Sequence, residues 1–284
     1  MTQSDIRPAT GKLGVLLPGM GAVASTFIAG VELYKKGLGD LVGSVSQHQR
    51  IRLGKRYESR QPRINEFVPL ARPEDLVFGG WDLFPDDAYQ AQLKAGVLPE
   101  PMMEPVQEAM AAIRPMKGAF DPRYLKNLDG THVKEGMTRL QLAEALMDDI
   151  RRFQAETGVD RMVMIWCGST EVLAETLPMH RDLDAFEKAL ADDAHEIPPS
   201  MLYAYAAIKL GIPYANGAPN LSADVPALVQ LAEANGVPIA GKDFKTGQTL
   251  LKTVIAPGLK ARMIGLDGWY STNILGNRDG EVLD

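Results

Sequence analysis

Nine residues, Gly241-Lys-Asp-Phe-Lys-Thr-Gly-Gln-Thr249, bring two lysines, a carboxylate, two hydroxyls, an amide and two glycines together directly after an apolar run. Glycine removes the Cβ that would hold a ligand off the backbone N–H groups, Thr and Gln supply neutral donors, and Lys supplies charge for phosphate. The stretch reads as an anion-binding turn suited to a phosphorylated polyol. A second candidate is Gly19-Met-Gly-Ala-Val-Ala24, which follows the aliphatic run Lys12 to Leu17. It is a GxGxxA pattern, the weaker form of the dinucleotide fingerprint, and tight strand-to-helix turns also need glycine for purely structural reasons. Two further loops put polar groups at the ends of apolar runs: Phe78-Gly-Gly-Trp-Asp82, which closes on a carboxylate, and Cys167-Gly-Ser-Thr-Glu171, which follows Met162 to Trp166. Asp40 has the spacing of a ribose-binding acid but precedes its apolar run and reads as a turn residue; Asp82 is the better candidate, although its loop can equally be a tight turn around a packed Trp81. Cys167 has no neighbouring histidine or cationic cluster to depress its pKa, so it reads as a buried thiol or a wall of a cofactor site, not as a nucleophile.

The elements that must hold these loops alternate. Lys12 to Leu17 is a strand, and a helical pattern through Phe27, Val31 and Tyr34 ends at Gly37. Leu41 to Val45 reads as a second strand and Leu76 to Asp82 as another. Met102 to Ile113 and Arg139 to Phe153 read as amphipathic helices, with Glu144, Asp148 and Arg151 on a solvated face. The unbroken apolar run Met162 to Trp166 is that of a parallel strand covered on both faces. Pro198 to Leu210 and Val225 to Ala234 follow as helices, Pro213 to Ala215 and Val237 to Ala240 as strands, and Asn216-Gly-Ala-Pro-Asn220 is a loop at a strand end. This alternation predicts an α/β, Rossmann-like doubly wound parallel sheet over residues 1–222, and ligands of such sheets bind outside the carboxyl ends of the strands.

At 284 residues and 45% hydrophobic content the chain can bury a sizeable core without disulfides or a structural metal. A net charge of −6, with the basic residues spread among 36 acids, speaks against a general nucleic-acid binder. A single cysteine excludes an internal disulfide, and His48, His132, His180 and His195 lack the paired spacing of a zinc site, so no metal is expected and a reducing cytoplasm fits best. The polar first residues and the short, glycine-interrupted apolar run after them have the form of neither a signal peptide nor a membrane span.

Taken together, the loops resemble the myo-inositol-1-phosphate synthase (inositol-3-phosphate synthase) family. The matching segments run in family order: Gly43-Ser-Val-Ser-Gln47, Phe78 to Asp82, Trp166 to Glu171, Glu196-Ile-Pro-Pro-Ser-Met-Leu-Tyr203, Asn216 to Pro219, Asp243 to Thr249, and Leu275-Gly-Asn-Arg-Asp-Gly280. The resemblance implies an isomerase that converts D-glucose 6-phosphate to an inositol monophosphate with NAD as resident catalyst, by oxidation at C5, enolisation, intramolecular aldol closure and re-reduction, without net redox. It implies that Gly19, Met20, Gly21, Ala22 and Val23 cradle the pyrophosphate, that Asp82 with Gly80 and Trp81 approaches the adenosine ribose, and that Ser46, Gln47, Gly217 and Ala218 contribute to the cofactor site. Trp166, Cys167, Gly168, Ser169 and Thr170 would line the cofactor cleft, with Asp243 near the nicotinamide. Thr246, Gly247, Gln248 and Thr249 would hold the substrate phosphate, and Asn273, Leu275, Asn277 and Asp279 would border the sugar. Asp243, Lys245 and Lys252 are the catalytic candidates; Lys245 can alternatively be a surface lysine in a salt bridge.

The resemblance further implies that residues 223–284 begin an α+β catalytic and oligomerisation domain, that the family's chain continues past Asp284 with its proton-transfer lysines in that continuation, and that the assembly is a homotetramer or dimer. These residues alone are then expected to bind NAD weakly and to show no synthase turnover. Competing readings are an NAD-dependent sugar-phosphate dehydrogenase, which would consume cofactor mole for mole, and a non-catalytic protein that binds NAD or a sugar phosphate.

Overall fold

In a computed structural model, which describes residues 10–172, 174–244 and 247–271, six parallel strands form one sheet in the order β3-β2-β1-β4-β5-β6. They are β1 (Leu13–Pro18), β2 (Leu76–Asp82), β3 (Met116–Lys117), β4 (Arg161–Trp166), β5 (Tyr214–Asn216) and β6 (Ile239–Ala240). Among the described residues the helices of eight residues or more are α1 (Ala22–Lys35), α2 (Ala88–Ala95), α3 (Arg139–Thr157), α4 (Leu183–Ala191), α5 (Pro199–Lys209), α6 (Pro226–Asn235) and α7 (Gly247–Ala261). Strand order reverses at β1, which pairs with β2 on one side and β4 on the other, so the loops after these strands diverge and leave a crevice between them.

The two-residue period of the strands divides the core into two layers. Val15, Leu17 and Phe78 pack with Ile28 of α1 and with Met103 and Met110. Leu16, Trp81, Met164, Trp166 and Tyr214 face the opposite layer, built from α3, α4, α5 and α6. Helix α3 is specified at both ends: Thr138 and Gln141 form a reciprocal capping box, and Gly158 closes the helix with φ +64°. Its buried Leu142, Leu146, Ile150 and Phe153 supply the apolar stripe. Helix α5 is buried on nearly every side from Pro199 to Ile208, as expected of an apolar helix at the centre of a layer.

Asp149 of α3 is a buried polar tie. Its carboxylate accepts from Trp81 Nε1 at 2.8 Å and pairs with Lys134 at 2.8 Å and Arg152 at 2.6 Å. Asp149→Ala leaves the mostly buried Lys134 ammonium without its counter-charge, and the expected loss, read by urea unfolding, is about 3–5 kcal/mol.

The structure adds β3, α2, α4 and α7, which the sequence reading did not contain, and differs from that reading elsewhere. Leu41 to Val45 is not a strand: the chain turns there and enters a short helix, Val45–His48, with Val42 and Val45 both 65% exposed. The helix expected over Met102 to Ile113 is instead two short helical segments, Glu100–Met103 and Gln107–Ala111, flanking a 3-10 turn at Glu104–Val106; Pro105 lacks an N–H and crowds the preceding turn. Finally, β6 pairs with β5, so the sheet runs on to Ala240, past residue 222.

Candidate functional site

A cleft opens at the point where strand order reverses, walled by the turns after β1, β2, β4 and β5. Its first wall is the turn between β1 and α1. Gly19 has φ +86°, a region that strains side-chain-bearing residues, and donates its N–H to the Trp81 carbonyl at 2.8 Å. A Cβ on Gly19 would overlap the Gly168 backbone. The Met20 N–H donates to Asp82 Oδ2 at 2.7 Å, and the Cys167 N–H to the Pro18 carbonyl at 2.9 Å. Turns from three adjacent strands are thereby locked to one another.

Helix α1 begins at this turn with Gly21 as its cap, no side-chain cap bond and no acidic residue in its first turn. Its leading N–H groups and the positive end of its dipole are left for an anion, and Gly21, Ala22 and Val23 line the cleft. Asp82 is half-buried at the end of β2, where Oδ1 also accepts the Phe84 N–H at 3.0 Å. Burial raises its pKa above the ordinary aspartate value, against the N–H groups of Phe84, Met20 and Leu83, which lower it. The carboxylate therefore braces the glycine turn while remaining part of the cleft wall.

The opposite wall is Trp166 to Thr170 with Gly217, Ala218 and Pro219. Trp166 and Trp81 pack against Tyr203 with ring centroids 5.5 and 5.3 Å apart, making an aromatic floor. The Tyr203 hydroxyl accepts the Ala119 N–H at 2.9 Å. Burial pushes the Cys167 thiol up to about 12, so it is a neutral wall residue near pH 7 and not a nucleophile. Gly217 permits close approach of the last wall: a Cβ there would strike the Phe244 ring and the Trp166 carbonyl. The Asp243 and Phe244 N–H groups donate to the Asn216 and Gly217 carbonyls, both at 3.1 Å, bringing these two residues to the cleft. Asp243, with φ +68°, and Phe244 both line it.

Of the residues singled out in the sequence, Gly19, Gly21, Ala22, Val23, Trp81, Asp82, Trp166 to Thr170, Gly217, Ala218 and Asp243 are gathered into this one cleft. Met20 lies buried beneath the turn, and Gly80 sits inside β2 opposite Leu17. Ser46 and Gln47 are not brought to the cleft; Gln47 bonds instead to the Ala71 carbonyl at 3.3 Å and to Asn65 at 3.0 Å. Gly247, Gln248 and Thr249 form the first turn of α7, and Lys252 stands exposed 5.6 Å from the Trp269 ring centroid. Lys245, Thr246, Asn273, Leu275, Asn277 and Asp279 lie outside the described residues. The sequence reading assigned no part to Leu83, Phe84, Leu125 and Leu128, which add an apolar side to the cleft from the segments after β2 and β3. Nothing in their local pattern marks them, because they reach the site through the sheet's topology.

Among the described residues no helix is long and apolar enough to cross a membrane, and no three His, Cys, Asp or Glu side chains converge as a metal-ligand set.

A family model described as myo-inositol-1-phosphate synthase, an NAD-binding domain, matches residues 13–275. Inositol-3-phosphate synthase 1 of Bacteroides thetaiotaomicron is 49% identical over 284 residues, covering 99% of this chain and 66% of its own. Inositol-3-phosphate synthase isozyme 1 of Arabidopsis thaliana is 34% identical, covering 98% of this chain and 57% of its own. The crystal structure of inositol-3-phosphate synthase from Caenorhabditis elegans superposes with a TM-score of 0.83 at 27% identity, covering 91% of this chain and 53% of that one. The chain thus spans between 53% and 66% of the length of these relatives.

Proposed function

The chain belongs to the myo-inositol-1-phosphate synthase family, and from that premise we propose that its cleft holds NAD for the conversion of D-glucose 6-phosphate to an inositol monophosphate. The observation that carries the reading is the convergence on one cleft of the uncapped start of α1 and of Asp243, which opens the anion-binding turn three strands away. The first suits a pyrophosphate, and the second, a carboxylate, accepts from sugar hydroxyls and precedes in sequence the Thr and Gln donors assigned to the substrate phosphate.

The residues present fit the cofactor. Gly21, Ala22 and Val23 offer backbone N–H groups, and Gly19, whose own N–H is given to the Trp81 carbonyl, lets the ligand approach without an obstructing side chain. Asp82 can accept from a ribose hydroxyl, because its two oxygens offer about four lone-pair sites and the N–H groups of Met20, Phe84 and Leu83 take three of them. Trp166 to Thr170, Gly217 and Ala218 form the wall along which the dinucleotide would lie. When bound, NAD supplies a hydride acceptor that returns the hydride at the end of the cycle.

The chain's own residues bind and orient. The aromatic floor and the leucines at 83, 125 and 128 thin the water around the reacting carbons, which strengthens each charged contact there. Asp243 is assigned to the nicotinamide end. Thr246, Gly247, Gln248 and Thr249 are assigned to the substrate phosphate, Lys245 and Lys252 to its electrostatic support and to oxyanion stabilisation, and Asn273, Leu275, Asn277 and Asp279 to the sugar. The assignment extends to a cytoplasmic enzyme that self-associates.

The test is incubation of the protein with D-glucose 6-phosphate and substoichiometric NAD. The expected result is inositol monophosphate with no accumulation of NADH. NADH rising mole for mole with an oxidised sugar phosphate would replace this reading with a dehydrogenase, and NAD binding without turnover would leave a binding protein.

A further inference from the structure

Between the end of α1 and the start of β2 the chain makes a long excursion, residues 36–75, where connections in α/β units usually take about 2–6 residues. None of these residues lines the cleft. The middle of the excursion folds on itself. Its short helices, Val45–His48 and Ile64–Phe67, are joined by Asn65 Nδ2, which donates to Gln47 Oε1 at 3.0 Å. Between them the chain forms a hairpin, in which the N–H groups of Ile51, Leu53 and Ile64 donate to the carbonyls of Pro62, Arg60 and Gln49, each at 3.0 Å.

Arg50, Arg52, Lys55, Arg56, Arg60 and Arg63 stand on this hairpin with one acid, Glu58, in a chain whose net charge is −6. All six cations are exposed, and among the described residues no ion pair reaches any of them. Glu58 lies back against Gly54, where an added Cβ would be 2.0 Å from its Oε2. Arg50 and Arg63 are opposed as a non-hydrogen-bonded antiparallel pair, the arrangement that brings side chains closest, and Arg52 lies two residues on along the same face. Like charges placed opposite each other weaken a hairpin, and an anion laid over that face removes the repulsion.

The same excursion exposes Val42, Val45, Ile51, Phe67 and Leu70, and its tip carries Tyr57, which is 77% exposed with the Lys55 ammonium 5.7 Å from its ring centroid. Every residue from Gly54 to Gln61 is exposed, so the tip is a protrusion that encloses nothing. A protrusion fits an extended surface better than a small molecule. Nucleic acid would answer the cations and stack on Tyr57, but it gains nothing from the exposed aliphatic side chains. A bilayer with acidic headgroups takes both, the cations at the level of the phosphates and the aromatic and aliphatic groups at the boundary with the acyl chains.

We propose that the excursion between α1 and β2 is a peripheral membrane-contact surface, which holds the protein on anionic lipid through the arginine face of its hairpin with Tyr57 seated among the headgroups. The protein lies on the bilayer without spanning it, in keeping with the absence among the described residues of a helix long and apolar enough to cross. Electrostatic attraction carries the contact, so it is reversible and weakens as salt rises. It does not depend on the reading of the cleft, which contains none of these residues.

The test is flotation of the full chain with vesicles of phosphatidylcholine alone and of phosphatidylcholine with phosphatidylglycerol, at low and at physiological ionic strength. The wild type is expected to float with the anionic vesicles and not with the neutral ones, and less as salt rises. The triple variant Arg50→Gln, Arg52→Gln, Arg63→Gln is expected to lose about 100-fold in partitioning, since each cation near such a surface contributes about fivefold. Tyr57→Ala is expected to lose about threefold. All four side chains are exposed, so both variants are expected to keep the wild-type circular dichroism and NAD affinity. Equal flotation with both kinds of vesicle, flotation with neither, or a triple variant that floats like the wild type would overturn the proposal. Retention of single-stranded RNA without vesicle binding would give the face to nucleic acid instead. Salt-sensitive self-association that the triple variant loses, again without vesicle binding, would give it to a second copy of the chain.

Discussion

Alanine at Gly19 is expected to eliminate measurable NAD binding and to destabilise the chain by about 2–5 kcal/mol. Two costs add. A Cβ-bearing residue at φ +86° is strained by about 1–2 kcal/mol, and its methyl would overlap backbone atoms of Gly168, with the Cys167 carbonyl carbon 2.8 Å away. Backbone cannot swing aside as a flexible side chain can, and overpacking of this kind costs about 1–3 kcal/mol. Relief requires the β1 and β4 turns to separate, which also moves the start of α1. Guanidinium unfolding and NAD calorimetry on Gly19→Ala report the two effects separately. A variant that binds NAD like the wild type would show that the β1 turn is not part of the cofactor site.

Asp82→Asn is expected to weaken NAD binding about 10- to 100-fold with a smaller effect on folding. The amide can present only one acceptor oxygen to the two N–H groups of Met20 and Phe84, so its NH2 must face one of them. Loss of a charge-assisted bond costs about 1.5–3 kcal/mol, about one to two decades in affinity. The pH response follows from the raised pKa. The folded protein takes up this proton more readily than the unfolded chain does, so the ionised carboxylate costs stability above its unfolded pKa, and that cost fades as pH falls. Acidification should therefore weaken cofactor binding before it unfolds the domain through this residue. Parallel binding and melting curves in acid check the order; unfolding that precedes loss of binding would contradict it.

How much of this was legible in the sequence differs by element. Strands β1, β2 and β4 are legible because parallel strands covered on both faces need continuous apolar runs, and the loops after them are legible because glycine and polar residues follow abruptly. Leu41 to Val45 shows the limit of that signal. It is as apolar as β5, but a strand exists only where a neighbour accepts its hydrogen bonds, and the chain between residues 41 and 75 is carried past the sheet in turns. The segment from Met102 to Ile113 kept its amphipathic period while Pro105 broke the backbone, so periodicity marked the buried face without marking the helix. The GxGxxA turn was ambiguous alone. What resolves it is Asp82, 62 residues from Met20 yet bonded to its N–H. Asp149 lies further beyond reach, as do the hydrogen bonds that the buried Glu171 carboxyl accepts from Ser200 and Asn220: these two and Trp81, the partner of Asp149, are remote in sequence, and no local spacing encodes a contact made by packing.

Helix α7 has a practical consequence for anyone measuring these effects. Leu250, Leu251, Val254 and Ile255 are each 39% to 67% exposed, and Met263 and Tyr270 beyond them are above 90%. Solvatochromic dyes that report unfolding by finding greasy surface will find it here in the folded protein. Dye-based melting scans should start bright and show a shallow transition, so ligand-induced shifts are better followed by circular dichroism or by the emission of the buried Trp81 and Trp166.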